Sequence, residues 1–405
     1  MKRIFPFVVL LLLKSAFAQE RTFPYFETYL VPKDSSTVFY TDFKISYDKL
    51  FFEKVNGQYK ADCFVGIELF RNDSLFYRKT VRKNVFVGTF EETKNSRKYF
   101  HRFFSTELPH GKYFAKFQFQ ILNVQDSFVR FTKEIESAKA DSKILRPIVV
   151  KKIREKVYST ISLQTVSPFS ASAFDLLIPT TAKDSLCTVK IRQFGETVSV
   201  FKTRAIIPGA PTFALIGNEF VFTPKQCAKE FKIFEVKNFS SKLLPGKARI
   251  EIIIGENSFT FPLKIIWENE PFSLSAENIR TKALKMLFDE QKIATIEQAS
   301  ENMRMKSLFD LWREFDPDTS NAYNEIMTEF FRRVDYAIEH FSSPQKQNGF
   351  ETDRGSVYIR YGEPLKKTKD LTSYDYNREI WDYGGSKFIF IDEKGNGDYK
   401  LVKKL

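Results

Sequence analysis

The sequence predicts a mainly β protein that ends in an α+β domain. We expect two tandem Ig-like β-sandwich domains, followed by a C-terminal domain of three helices and a small antiparallel sheet. Three observations support this fold class. Alternating apolar residues separated by turns recur from about residue 20 to residue 270, helical periodicity begins near residue 272, and short β patterns return after residue 349. A chain of 405 residues is also long enough for two or three domains.

The first twenty residues have the pattern of a secretory signal peptide. Lys2 and Arg3 precede an apolar stretch, residues 4–13, that is too short to span a bilayer comfortably. Ala16 and Ala18 then form an A-x-A cleavage site. We therefore expect residues 1–18 to be removed. The mature chain is expected to be a soluble exported protein without a transmembrane segment, in the periplasm, at the cell surface or outside the cell.

Residues 19–140 are predicted to form the first sandwich. One stretch alternates apolar residues with Lys60, Asp62 and Glu68, as a strand with one face on a core does. Its predicted inward row is Tyr59, Ala61, Cys63, Val65, Ile67 and Leu69. A proline and glycine turn at residues 108–112 then leads into another strand.

Residues 141–156 are basic and contain Pro147, which indicates a linker that leads into a strand; an edge strand fits as well. Residues 157–270 are predicted to form the second sandwich, with Cys187, Val189 and Ile191 on one strand face. The turn at residues 243–247 resembles the one at residues 108–112, which is a weak sign of two related units.

Residues 271–405 begin with helical patterns. Ser275 is predicted to cap the first helix, and Thr295 with Gln298 to form the capping box of the second, which ends at residues 316–318. A third helix is predicted over residues 320–341, with a polar face opposite an apolar stripe. The predicted stripe is Tyr323, Ile326, Met327, Phe330, Val334, Ala337, Ile338 and Phe341, and the predicted solvated face is Glu325, Glu329, Arg332, Arg333 and Glu339.

Residues 348–364, NGFETDRGSVYIRYGEP, are predicted to be a turn followed by a short strand. Asp353 is expected to accept the backbone N–H of Gly355 in an Asx turn, and Phe350 to be a buried anchor. Val357, Ile359 and Tyr361 would then share one face of the strand, so every residue has a structural role. Three more strands are predicted at residues 379–383, 387–392 and 399–403.

This C-terminal part resembles the GWxTD-domain family of bacterial exported proteins. The resemblance covers roughly residues 272–405, and Phe350 stands where the family has its name-giving Trp, so the indole N–H donor is absent. The resemblance implies the architecture of this domain and a β-rich region before it. The family has no agreed biochemical activity, so the resemblance implies no mechanism. The matching pieces are Phe315-Asp316-Pro317, Asn324-Glu325, residues 331–337, residues 349–355, residues 357–364, residues 379–383, residues 388–392 and residues 395–397.

The charge is distributed unevenly along the chain. The formal net charge is +13, yet residues 271–405 carry 21 Lys and Arg against 23 Asp and Glu. The basic surplus therefore belongs to the N-terminal two-thirds. An exported basic surface indicates an anionic envelope polymer or a membrane face rather than nucleic acid. Lysines that keep strand edges soluble are the alternative explanation.

Few residues in the sequence suggest reactive chemistry. His101, His110 and His340 match no zinc spacing, and no nucleotide-binding or nucleophile-elbow motif is present, so we expect no metal and no cofactor. Residues 392–398 faintly resemble a calcium loop, but Lys394 occupies a ligand position and a hairpin is the better interpretation.

The three cysteines are expected to have structural roles. Cys63 is expected to be a buried thiol, because it belongs to the inward row of a predicted strand. Export would allow Cys187 and Cys227 to form a disulfide, since both fall within the second predicted sandwich.

Two functions remain open on the sequence. The first is a non-enzymatic binding or scaffold protein of the cell envelope whose C-terminal domain docks an envelope protein, with Asp353, Arg354 and Trp381 as the main candidates for a functional surface. The second is a carboxylate-dependent hydrolase of an envelope polymer, using Asp353 with Asp316 or Glu363. No catalytic residue is assigned. The motif residues that could take part in an interaction are Phe350, Thr352, Asp353, Arg354, Gly355, Tyr358, Arg360 and Trp381.

Overall fold

The computed structural model describes residues 25–96, 98–124, 127–137, 143–225, 231–370 and 377–405, and these are mostly β-strand. The predicted signal peptide, with Ala16 and Ala18, and Cys227 lie outside these residues.

The strands and helices follow in chain order. The strands are β1 (Tyr25–Pro32), β2 (Ser36–Ser46), β3 (Glu53–Val55), β4 (Gln58–Arg71), β5 (Ser74–Val87), β6 (Tyr99–Pro109), β7 (Gly111–Ile121), β8 (Val129–Ser137), β9 (Ile148–Arg154), β10 (Val157–Ser162), β11 (Val166–Pro168), β12 (Asp175–Thr180), β13 (Leu186–Gln193), β14 (Glu196–Pro208), β15 (Ala210–Ile216), β16 (Glu219–Lys225), β17 (Lys232–Val236), β18 (Gly246–Ile254), β19 (Asn257–Ile266), β20 (Lys366–Asp370), β21 (Asn377–Asp382), β22 (Lys387–Asp392) and β23 (Lys400–Lys404). The helices are α1 (Phe90–Thr93), α2 (Phe272–Ser275), α3 (Glu277–Leu284), α4 (Glu290–Glu297), α5 (Glu301–Trp312), α6 (Glu325–Phe341) and α7 (Asp353–Tyr361).

The chain divides into two compact units that interleave along the sequence. The first unit is Met1–Thr165, Leu176–Cys187 and Thr203–Glu235, and the second is Val166–Asp175, Thr188–Lys202 and Val236–Leu405. The residues predicted as a second sandwich are therefore shared between the two units. The strand predicted after the linker is present as β9, which begins at Ile148 inside the predicted linker range.

The first unit begins with a β-sandwich. One sheet has the strand order β1-β2-β6. The other has the order β3-β4-β7-β8, and β5 also pairs with β4. The predicted inward row of β4 is confirmed except at its first residue: Ala61, Cys63, Val65, Ile67 and Leu69 are all 0% exposed, whereas Tyr59 is half-buried. Residues from both sheets share one core, in which Phe43 of β2 and Phe119 of β7 have ring centroids 5.2 Å apart.

A second core in the first unit packs Tyr29 and Tyr40 of the sandwich against β15 and β16. The rings of Tyr29 and Tyr40 lie 5.4 and 5.1 Å from that of Phe213. A buried carboxylate supports this packing: Glu27 accepts from the Leu163 backbone N–H at 2.6 Å and from the Ser162 hydroxyl at 2.5 Å. Burial with hydrogen bonds of this kind offsets the desolvation of the charge.

The second unit contains a sheet and the C-terminal helices. Its strands follow the order β11-β19-β18-β13-β14. The predicted face of β13 is confirmed, since Val189 and Ile191 are 0% exposed. The two proline and glycine turns also behave as predicted, because Gly111 begins β7 and Gly246 begins β18.

The helix starts differ from those predicted. Ser275 caps no helix and instead ends α2; its hydroxyl donates to the Phe272 carbonyl. The predicted box of Thr295 and Gln298 is also wrong, because α4 has already begun at Glu290, where Asp289 accepts from the Lys292 N–H. A later cap signal cannot start a helix that an earlier side chain has already capped.

The long helix α6 begins at Glu325 rather than at residue 320, with Asn324 accepting from the Met327 N–H at 2.8 Å. Its apolar stripe is mostly confirmed, but Ile326 is 46% exposed and Phe331, outside the predicted stripe, is 0% exposed. Arg333 was predicted to be solvated, yet it donates to the Ile359 carbonyl at 3.0 Å. Beyond α7, the sheet has the order β20-β21-β22-β23, in which β20 is a strand that was not predicted.

Cys63 and Cys187 are buried free thiols. Burial raises the pKa of each to about 12. No helix in the described part of the chain combines the length and hydrophobicity that a membrane crossing requires.

Candidate functional site

Residues 353–361 form a helix, so the strand predicted over residues 357–361 is wrong. A 3-10 turn (Gly349–Glu351) leads into α7, whose first turn is capped by Thr352. The Thr352 hydroxyl accepts from the Gly355 N–H at 3.0 Å and donates to the Gly349 carbonyl at 2.7 Å. Tyr361, predicted to share a strand face with Val357 and Ile359, is 37% exposed, whereas Val357, Tyr358 and Ile359 are all buried, as a helix allows and a strand does not.

The two glycines of this segment allow backbones to touch. A Cβ atom on Gly349 would overlap the carbonyl oxygen of Ala337 in α6 and lie 2.7 Å from the Ser342 nitrogen. A Cβ atom on Gly355 would overlap the carbonyl oxygen of Gly349 and lie 2.8 Å from the Phe350 Cα. Any residue larger than glycine would therefore separate the 3-10 turn from α6 or α7.

Asp353 bonds to a distant strand instead of its own turn. Its Oδ2 accepts from the Leu401 backbone N–H at 2.8 Å. The predicted Asx turn on Gly355 is therefore wrong, since the Thr352 hydroxyl takes that N–H. Asp353 thus joins the start of α7 to β23.

Arg354 connects α7 to β21 and to the loop that precedes β23. Its Nη1 lies 3.1 Å from Glu379 Oε2 of β21, and its Nη2 donates to the Gly397 carbonyl at 3.1 Å. The guanidinium carbon also lies 4.0 Å from the centroid of the Tyr399 ring. The Arg354 and Glu379 side chains are only 12% and 8% exposed, so this ion pair belongs to the interior.

The aromatic residues of the predicted surface are buried. Phe350 is 1% exposed and Trp381 is 0% exposed, so Trp381 forms no part of an outer face. Tyr358 stacks on Tyr336, with centroids 4.3 Å apart, and burial raises its pKa. Of the eight candidate residues, Arg360 alone is exposed, and the other seven are buried or half-buried.

Residues 392–398 form the loop between β22 and β23, as the hairpin interpretation predicted. The Asp392 carboxylate accepts from the Asn396 N–H at 3.2 Å and from the Gly397 N–H at 2.8 Å. Within the described ranges, no group of three or more His, Cys, Asp and Glu residues is arranged to hold a metal ion.

The second unit also contains a cavity of about 370 Å³, and none of residues 348–364 lines it. Sequence reasoning missed it, although Asp316 and Asn324, two residues of the resemblance, line it. Asp353 and Glu363 do not, so the predicted carboxylate set is not assembled there. The remaining lining residues are Gln193, Phe194, Glu196, Val198, Lys242, Leu244, Lys306, Phe309, Asp310, Arg313, Thr319, Asn321 and Ala322.

Some of the polar groups that line this cavity already form ion pairs or hydrogen bonds with one another. Asp310 pairs with Lys306 at 3.2 Å and with Arg313 at 2.5 Å. Lys242 donates to the Thr319 carbonyl at 2.8 Å. An ammonium group has three N–H donors, so both lysines retain capacity for a bound group. The cavity therefore presents charges of both signs beside the apolar surface of Phe194 and Phe309.

The comparison with protein families identifies a known domain in the C-terminal part of the chain. Residues 258–404 carry a GWxTD domain. The match begins inside β19, before the first helix, and continues through β23. In this GWxTD domain the signature residues Thr352, Asp353 and Arg354 connect α7 to neighbouring backbone and to the C-terminal sheet.

Two solved structures show distant likeness. The titin Ig tandem domains A164-A165 share 8% identity, with a TM-score of 0.16, over 60% of this chain and 96% of that chain. Tripeptidyl peptidase 2 shares 9% identity, with a TM-score of 0.12, over 84% of this chain and 35% of that chain. No curated protein matches the chain. With TM-scores this low, neither likeness carries an argument about the GWxTD domain or the sheets before it.

Proposed function

We propose that the chain is an exported, non-enzymatic binding or scaffold protein of the bacterial cell envelope, in which the GWxTD domain docks a protein partner. The observation that carries the proposal is that the side chains of Asp353 and Arg354 bond to other parts of the same domain. The Asp353 carboxylate bonds to Leu401, and Arg354 pairs with Glu379 in the interior. These groups therefore build a rigid platform and are not presented to a substrate.

Export rests on the N-terminal pattern of residues 1–18. The basic start, the short apolar stretch and the A-x-A site together support a secretory signal peptide. The β-rich region before the GWxTD domain suits a spacer or binding module, since sheets present broad faces on a rigid core. The cell envelope is the compartment in which such a module would meet its partner.

The cavity beside Asp316 is the proposed docking position. The Arg313 side chain is 71% exposed, and Asp310 of the same cavity pairs with both Arg313 and Lys306. Arginine at a rim of mixed charge and aromatic surface suits recognition of a protein partner. A partner side chain that enters the cavity would meet both cations and carboxylates.

Affinity capture with variant baits tests this position. The mature chain would be used as bait on crosslinked envelopes, with washes at low and high salt. We expect one protein to survive the high-salt wash with the native bait and to be lost with Arg313→Glu. Arg332→Glu is the control, because Arg332 is exposed on α6 and does not line the cavity.

The proposed docking would be contradicted if both variants captured the same proteins as the native bait. Recovery of salt-labile anionic polymer alone would also contradict it. That result would place binding on a basic sheet face instead of the cavity.

The hydrolase alternative makes a different prediction for Asp353. Asn keeps an oxygen that can accept from Leu401, so Asp353→Asn should preserve the fold while removing an ionisable group. We expect the native chain and this variant to release no product from envelope polymers. Product release by the native chain that is lost in Asp353→Asn would establish the hydrolase and overturn the non-enzymatic proposal.

A further inference from the structure

One solvent face of the sheet in the second unit is strongly basic. In β18 the side chains of Ala248, Ile250, Ile252 and Ile254 are buried, so the alternate residues point outward. Lys247, Arg249 and Glu251 therefore share the outer face.

The neighbouring strands add cations to the same face. Lys264 of β19 lies directly opposite Lys247 in the antiparallel register. On the other side, Lys190 and Arg192 of β13 each approach the Glu251 carboxylate at 3.7 Å. The outer face of these three strands thus carries five cations and one carboxylate, which only two of the cations approach.

This arrangement is costly to the fold. Like charges that face each other across two strands are destabilising. Among the described residues, Lys247, Arg249 and Lys264 form no ion pair. Solubility alone would be served as well by mixed charges.

The first sandwich shows the usual alternative. On β5, Arg78 lies 2.8 Å from Glu68 and Arg82 lies 2.6 Å from Asp62, so both of these arginines are paired with an acid on β4. The chain therefore pairs the outward arginines of β5 with acids, whereas three cations of the second face have no such partner in the described part of the chain. This contrast indicates that the unpaired cations have a binding role.

We propose that the outer face of β13, β18 and β19, defined by Lys190, Arg192, Lys247, Arg249 and Lys264, binds a linear polymer that carries a phosphate group in each repeat. Adjacent strands are about 5 Å apart, and alternate residues along a strand are about 7 Å apart. An extended polyanion can follow such a grid, because successive phosphates reach successive cations. Arginine and lysine both suit phosphate, the former by paired N–H donors.

This inference goes beyond the proposed partner docking, and relies on it only in treating the chain as a binding protein. It is tested with the purified mature chain and fluorescently labelled long-chain polyphosphate, by anisotropy at several salt concentrations. We expect the triple variant Lys247→Gln, Arg249→Gln, Lys264→Gln to bind at least tenfold more weakly. Its slope of log affinity against log salt should also fall by about 2, because roughly 0.7 counterion is released per phosphate contact on a flexible strand.

The matched control removes the same charge elsewhere. Lys54→Gln, Lys79→Gln, Lys83→Gln changes three exposed lysines of the first sandwich and should alter the affinity less than twofold. Equal weakening in both triple variants, or none in the first, would overturn the proposal. Tighter binding of a carboxylate polymer such as polygalacturonate would overturn the choice of phosphate.

A folding defect is excluded with a single variant. Lys264→Glu places an acid opposite Lys247, so we expect an unchanged or higher Tm together with weaker polyphosphate binding. Arg313→Glu, at the cavity, should bind polyphosphate as the native chain does. The two proposals therefore fail separately, since one depends on the cavity and the other on this sheet face.

Discussion

Gly349 and Gly355 are the residues on which the packing of the signature depends most directly. Each supplies no side chain at a point where a backbone carbonyl occupies the space of a Cβ atom. The contact of the 3-10 turn with α6 and with α7 is therefore made by backbone atoms. Backbone atoms cannot rotate away as a side chain can, so these two positions tolerate little change.

We expect Gly355→Ala to lower the free energy of unfolding by about 3 kcal/mol, the upper end of the usual cost of overpacking, because the added Cβ atom would meet backbone atoms that cannot move aside. The matched control is Gly385→Ala, where a Cβ atom meets nothing within 4 Å. Denaturant unfolding of the two variants measures the difference. Equal stability of the two would contradict the close packing of α7 on the turn.

At the scale of single elements, α7 shows how a cap overrides a local pattern. Residues 357–361 alternate apolar and polar side chains, which favours a strand. Thr352 nevertheless starts a helix, because its hydroxyl takes the Gly355 N–H and its neighbour Asp353 bonds to β23. The helix then places Val357, Tyr358 and Ile359 against the core.

Thr352→Ala should lower the free energy of unfolding by about 1 kcal/mol, the usual cost of losing an N-cap side chain. Thr352→Ser should keep most of the stability, since the hydroxyl remains. Ser300→Ala is a comparison at the start of α5, where the N-cap side chain makes no capping bond. A loss at Ser300 as large as that at Thr352 would show that the capping bond of α7 contributes nothing.

At the scale of the whole molecule, two buried thiols couple stability to alkaline pH. Burial raises the pKa of Cys63 and Cys187 from 9.0 to about 12. The unfolded thiols therefore ionise first as the pH rises. The stability that these thiols contribute is complete below pH 9 and is lost as the pH rises towards 12.

We expect the mature chain with Cys227→Ser to react with no thiol reagent at pH 8.5 while folded, and to react at two thiols once unfolded. The physical reason is that both remaining thiols are buried and protonated in the native state. The measurement is a count of labelled thiols by mass, with and without urea. Labelling of Cys63 or Cys187 in the native state at the rate of a free thiol would contradict this picture.

The sequence by itself determined the features that depend on short-range periodicity. The inward row of β4 and the buried face of β13 follow from alternation, because side chains on a strand have a period of two. The apolar stripe of α6 follows from the helical period in the same way, apart from Ile326 at its edge. The order of the motif residues also located the GWxTD domain.

Only the tertiary structure decided what those motif residues do. Asp353 bonds to Leu401 and Arg354 to Glu379, which are 48 and 25 positions away in the chain. The cavity beside Asp316 and the basic face that includes Lys247 and Lys264 likewise join residues from separate elements. Such contacts depend on how distant segments pack, and local propensity carries no information about that packing.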